Sequence, residues 1–300
     1  MEILFASDIL LFIMAFVALI FATITDIRKT EVPNWLSFSL LASAFVIRLI
    51  ASVISLQFSY VLYGIGAFVI FFILANIFFY GKFFGGGDAK LLMALAVVFA
   101  TTPSFLPSNA ILFAEEPFLL SFFINIFVIG AFYSLAFVAY FSIKNRESFK
   151  IEFKRMHRKM KTIRIIFMII SVLILALALF SLLFEFVGFW GFIMLALASF
   201  AFPYLYIIAK ATETSSMIKK VHASQLTEGD WLVEKVNISK KIIRPSVHGL
   251  SAKDIELLRK NRKNVLIKYG IPFIPVFLIS LITTSLVGDL IILIIRAFLF

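Results

Sequence analysis

The sequence contains no cysteine, which excludes disulfides, thiolate metal sites and a cysteine nucleophile. Histidine is nearly absent as well. His157, His222 and His248 are scattered, with no spacing that would hold a metal. Charged residues make up only 15% of the chain, and Ser55–Ser59, Leu106–Pro117 and the turn near Glu185 carry no Lys or Arg at all. Internal repeats and low-complexity linkers are lacking too. These absences leave little of the ordinary equipment for metal or thiol chemistry, and they direct attention to the few acids that remain.

What is present is apolar. Hydrophobic residues make up 62% of the chain and the mean hydropathy is +1.05, whereas soluble globular proteins run at roughly 45–50% apolar. The expected class is an all-α polytopic membrane protein with about eight transmembrane helices and a small α+β cytoplasmic module. Apolar runs of about 20 residues place the spans at Ile3–Thr25, Leu36–Ile54, Tyr60–Tyr80, Ala89–Phe105, Phe118–Ile143, Ile165–Phe184, Phe186–Ala209 and Ile271–Val287. Met1-Glu2 has no basic n-region, so the first run reads as a span rather than a cleavable signal. The tail Leu290–Phe300 either extends the eighth span or lies at the interface.

The loops alternate in charge. Thr25–Trp35 and Gly81–Asp88 hold basic residues, Lys144–Arg164 holds nine Lys/Arg against two Glu, and Lys210–Gly270 is basic. The intervening loops hold none. This pattern predicts the N-terminus outside and the basic loops in the cytoplasm. It also accounts for the net charge of +11 without nucleic acid as a partner; membrane lipid is the expected contact.

Four regions are predicted: a membrane core over 1–143, a basic segment with two further spans over 144–209, a small cytoplasmic domain over 210–270, and a final span over 271–300. In the small domain, a Gly turn lies between Leu226 and Trp231, Val233 to Ile243 is strand-like, and Ser251 caps a helix bearing Ile255, Leu257 and Leu258. In Lys144–Arg164, Phe149, Phe153, Met156 and Met160 recur at helical steps. Such a basic amphipathic helix either lies on anionic lipid or extends the fifth span into solvent. Arg48, inside the second span, reads as a packed or snorkelling residue.

Two acids at span edges matter most. Asp26 closes the first span, and Asp88 opens the fourth behind Gly85-Gly86-Gly87. Two spans intervene, so both carboxylates come to one face at one depth, while Asp8 and Asp289 fall on the other. Each has a structural alternative: Asp88 as a helix N-cap, Asp26 as a solvated boundary residue beside Arg28 and Lys29. Two carboxylates that meet cannot both ionise easily and share a proton. One then serves as general base on a water while the other donates to a scissile carbonyl. Helix dipoles would favour Asp88 as the anion and Asp26 as the acid.

These residues resemble a known family. Gly85-Gly86-Gly87-Asp88-Ala89-Lys90-Leu91-Leu92 is similar to the GxGD stretch of the type IV prepilin peptidases, membrane aspartic proteases. Asp26-Ile27-Arg28-Lys29-Thr30-Glu31-Val32-Pro33-Asn34 is similar to their second motif. The chain looks most like the archaeal preflagellin (prearchaellin) peptidases, well over residues 5–105 and loosely over 210–287. The resemblance implies removal of a short basic leader from preflagellin or prepilin-like precursors with class III signal peptides, at the cytoplasmic membrane face, without metal or other cofactor. It implies Asp26 and Asp88 as the catalytic pair and Gly85 and Gly87 as sites of close substrate-backbone approach. Glu31 is a candidate contact for a basic leader residue; otherwise it is a solvated loop acid. Pro33, Asn34 and Lys90 match motif positions without an assigned chemistry. The cysteine-bearing domain and methyl transfer of bacterial members are not expected, and 144–209 has no counterpart in the archaeal pattern. A presenilin-like protease and a cation- or proton-coupled transporter are the alternatives. The first would hold its acids in adjacent spans, the second near mid-bilayer.

Overall fold

The computed structural model describes residues 2–106, 117–184, 189–238, 241–246, 248–261 and 264–299. Most of the loop without Lys or Arg expected at Leu106–Pro117 and the turn at Glu185 lie outside the described residues. In chain order the helices are α1 (Glu2–Lys29), α2 (Asn34–Ser55), α3 (Ser59–Tyr80), α4 (Gly86–Val98), α5 (Phe118–Lys144), α6 (Arg146–Lys159), α7 (Lys161–Leu183), α8 (Phe189–Thr212), α9 (Ala252–Lys260), α10 (Ile274–Leu286) and α11 (Leu290–Leu299). The strands are β1 (Ile218–His222), β2 (Trp231–Leu232), β3 (Val236–Ile238), β4 (Lys241–Ile243) and β5 (Asn264–Lys268). Two compact units result: Met1–Ser134 with Gly270–Phe300, and Leu135–Tyr269.

Among the described residues, six helices are long and apolar enough to cross a membrane: α1, α2, α3, α5, α7 and α8. The chain is a polytopic, mostly helical membrane protein. The expected eighth span is a bent pair, α10 and α11, broken by 54°. Gly288-Asp289 makes the break. Asp289 Oδ1 accepts the N–H groups of Ile291 and Ile292 and so caps α11, while Asn125 donates to the Gly288 carbonyl and accepts from Leu290 N–H.

The expected fourth span differs most. α4 has 13 residues, about 20 Å at 1.5 Å per residue, short of a hydrocarbon core of about 30 Å. Leu91, Leu92 and every residue from Ala94 to Phe99 are buried. The run is apolar because protein surrounds it, not lipid. Its far end is fastened by Arg48, which is fully buried. The guanidinium donates from Nε to the Val97 carbonyl at 2.7 Å, from Nη2 to the Val98 carbonyl at 3.0 Å and from Nη1 to the Tyr60 carbonyl at 2.9 Å. It thereby satisfies α4 carbonyls that have no partner inside the helix. Gly64 leaves room for it: a Cβ there would stand 2.8 Å from Arg48 Cδ. Tyr60 donates its hydroxyl to Asp8 Oδ1 at 2.7 Å, and Asp8 Oδ2 accepts Ser104 N–H at 3.0 Å.

That last bond fixes the direction of α4. Asp8 and Asp26 are about 27 Å apart along α1. Ser104 meets Asp8, and the start of α4 meets the other end of α1, as described below. α4 and the turn after it therefore traverse the first unit from one end to the other.

In the second unit, β1, β5 and β2 form an antiparallel sheet in that order and β3 pairs with β4. Val221, Leu226, Leu232, Ile243, Leu250, Ile255, Leu258, Val265 and Ile267 pack between sheet and α9. The expected Ser251 cap is present, accepting Asp254 N–H. The apolar stripe expected on α6 faces protein rather than solvent. Phe149, Phe153, Met156 and His157 are half-buried and α6 packs on α8, with the His157 ring 6.3 Å from that of Tyr204. Arg146, Lys150, Lys154 and Arg158 stay exposed.

Candidate active site

α1 ends one turn beyond Asp26, where the Thr30 N–H closes on the Asp26 carbonyl at 2.7 Å and Thr30 turns the chain with φ +53°. Pro33 then starts α2 from an extended conformation. Asp26 is buried, only 5% exposed. Its Oδ2 accepts Ile274 N–H at 2.8 Å, and the Phe273 N–H is a second donor. These groups form the first turn of α10, where the N–H groups lack helical partners and Pro275 fits because no N–H is needed.

Asp88 is the third residue of α4, with Gly85 at the cap position. It is therefore not the N-cap itself. Its carboxylate reaches back to accept Gly85 N–H at 2.9 Å. The preceding Phe84 is the anchor. It is 4% exposed, against 76% for Phe83, and its ring packs on Phe78, Phe127, Phe273 and Phe277 from α3, α5 and α10. Phe273 in turn lies against Gly130 of α5, where a Cβ would come within 2.8 Å of its ring. One aromatic cluster thus sets both the start of α4, which carries Asp88, and the start of α10, which holds Asp26.

The two sequence motifs touch. A Cβ on Gly87 would stand 2.9 Å from Val32 Cβ, and Lys90 Nζ donates to Asn34 Oδ1 at 2.7 Å. The space beside Gly85 holds the Asp88 carboxylate, 3.3 Å from where a Cβ would be. Asp26 and Asp88 are close enough for each to act electrostatically on the other. Among the described residues no hydrogen bond joins the two carboxylates, and no Lys, Arg or His forms an ion pair with either. Both carboxylates rest on backbone N–H groups at helix starts, so the expected division of roles by helix dipole loses its basis: α10 gives Asp26 the same kind of support that α4 gives Asp88. Glu31 is exposed on the loop between α1 and α2.

The sequence reading missed three contributors: the first turn of α10, Phe84, and Tyr133 of α5, whose hydroxyl lies within electrostatic reach of Asp26. Only the first left a signal, in the prolines at 272 and 275. Among the described residues no group of three or more His, Cys, Asp or Glu is placed to hold a metal ion.

Two carboxylates close enough to influence each other, with no cation paired to either among the described residues, can hold a water and pass its protons. The model of the Type IV leader peptidase family matches residues 13–135. The match spans less than half of the chain but contains Asp26, the Asn34 loop, Asp88, Lys90 and Tyr133. No curated protein matches the chain.

Proposed function

We propose that the chain is a membrane-embedded aspartic endopeptidase that removes the short leader of preflagellin or type IV prepilin-like precursors at the cytoplasmic face. The observation that carries this reading is the meeting of Asp26 and Asp88, from two separate motifs, inside the region similar to leader peptidases. The pair shares one proton. The ionised carboxylate takes a proton from the water as its oxygen attacks the scissile carbonyl carbon. The protonated one donates to the carbonyl oxygen, and collapse of the tetrahedral intermediate delivers a proton to the leaving amine. No covalent intermediate forms. The site lies at the end of the bundle, so the leader stays in water while the apolar helix of the precursor remains in the membrane. Gly85 and Gly87 serve this arrangement by letting Asp88 and the Val32 loop close around the substrate backbone.

Membranes containing the protein, incubated with tagged preflagellin or prepilin, test the reading. Wild type is expected to release the leader, and Asp26→Asn and Asp88→Asn to release none. Cleavage by either variant would refute the aspartic mechanism; failure of wild type on every leader-bearing precursor would point to transport instead.

A further inference from the structure

The bond between Lys90 and Asn34 has a meaning beyond the carboxylate pair. Lys90 is two residues past Asp88 on α4, and Asn34 is the first residue of α2, eight past Asp26. An ammonium so placed would be expected to seek one of the two carboxylates. It instead donates at 2.7 Å to a neutral amide oxygen. The identity of that oxygen is fixed by chemistry, because a Lys ammonium has no acceptor to offer the Asn amide nitrogen. The Lys90 ammonium also lies over the Phe38 ring of α2, 5.8 Å from its centroid, so both of its contacts are with α2 and neither is with the acids. Beside this bond, Val32 fills the notch at Gly87.

Resting on the peptidase reading above, we infer that Lys90 and Asn34 are positioning residues: their hydrogen bond staples the loop that follows Asp26 to the helix that carries Asp88 and sets the spacing of the two carboxylates. The Val32–Gly87 contact alone is apolar and tolerates sliding. The polar bond defines register, because a charge-assisted hydrogen bond is short and directional. Neither residue needs to touch substrate. Lys90→Met and Asn34→Ala should each lower kcat for precursor cleavage by about 10- to 100-fold, the size of effect expected from misplacing catalytic groups by about 1 Å, with KM changed less than about twofold. The double variant should be no worse than the poorer single one, and Lys90→Arg should recover part of the rate.

The experiment is a double-mutant cycle on both kcat and the melting temperature in detergent, using the full chain and one synthetic precursor. Coupling in both readouts supports the staple. A rise in KM on Lys90→Met with kcat retained, and no matching effect of Asn34→Ala, overturns it in favour of a direct substrate contact. Additive losses also overturn it. The melting-temperature cycle needs no substrate. Coupling there, with no cleavage of any precursor by wild type, refutes the peptidase reading while upholding the contact; absence of coupling there refutes the staple whatever wild type cleaves.

Discussion

The first unit has two polar ends that share the same helices and differ in kind. At one end, Asp8, Tyr60, Arg48 and the last carbonyls of α4 form a chain of hydrogen bonds that includes a cation. Arg48 uses Nε, Nη1 and Nη2 as donors there, and Thr101 takes a further bond. At the other end, Asp26 and Asp88 are held only by backbone N–H groups, and the adjacent Lys90 bonds to Asn34. Saturated polar networks rigidify a fold. Buried carboxylates left without a cation oppose it, and such arrangements persist at sites of chemistry. α4 joins the two ends, so its mooring at the Arg48 end holds Asp88 in place at the other.

The contrast is best broken by exchanging what each end loses. The largest effect is expected for Asp26→Asn: cleavage falls by at least about 1,000-fold, more than 4 kcal/mol of transition-state stabilisation, while the melting temperature holds or rises because a neutral amide is cheaper to bury than a carboxyl group that can ionise. A marked drop in melting temperature would mean that this end, too, is structural. Next comes Arg48→Met, which strands the Val97 and Val98 carbonyls in the protein interior. Each unsatisfied buried group costs about 1–3 kcal/mol, so unfolding in detergent should ease by about 3 kcal/mol or more, with the surviving folded protein still cleaving. Full stability in this variant would show that the guanidinium is dispensable. Tyr60→Phe removes one link, the hydroxyl to Asp8, and should cost about 1 kcal/mol by the same unfolding measurement. An unchanged midpoint would break the network at that point. The smallest effect is at Glu31. Charge reversal, Glu31→Lys, should raise KM for a basic leader about threefold by loss of an exposed ion pair worth under 1 kcal/mol and leave kcat alone. Equal KM values would assign Glu31 to solvent.

The sequence shows why some of this was legible. Asp26 and Asp88 are rare acids at the ends of apolar runs, and parity of crossings brings them to one side from hydropathy alone. The Ser251 helix and the β3–β4 pair of the second unit announce themselves by cap residues and composition, whereas β1 and β5 are not read from the sequence. Hydropathy fails at α4 because it cannot tell lipid from protein as the apolar surroundings; Phe99 to Phe105 is apolar enough to continue the run, yet Thr101, Thr102 and Pro103 end it. Arg48 reads as packed, but its acceptors lie about fifty residues away and no local pattern announces them. The support for Asp26 is further still. Ile274 is 248 residues on, and a backbone N–H leaves no side-chain signature. The stripe of α6 is equally silent about its partner, which proves to be α8.

That long separation has a consequence in time. A ribosome adds roughly 5–20 residues per second, so Asp26 is made about 10–50 s before the backbone that will hold it. Once residue 135 is made, the region similar to leader peptidases is complete, with both acids, both motifs and the Arg48 mooring in hand. The nascent protein nonetheless lacks the first turn of α10. The carboxylate pair is thus completed by one of the last helices to leave the ribosome, and a chain cut short anywhere before Gly270 emerges without that turn.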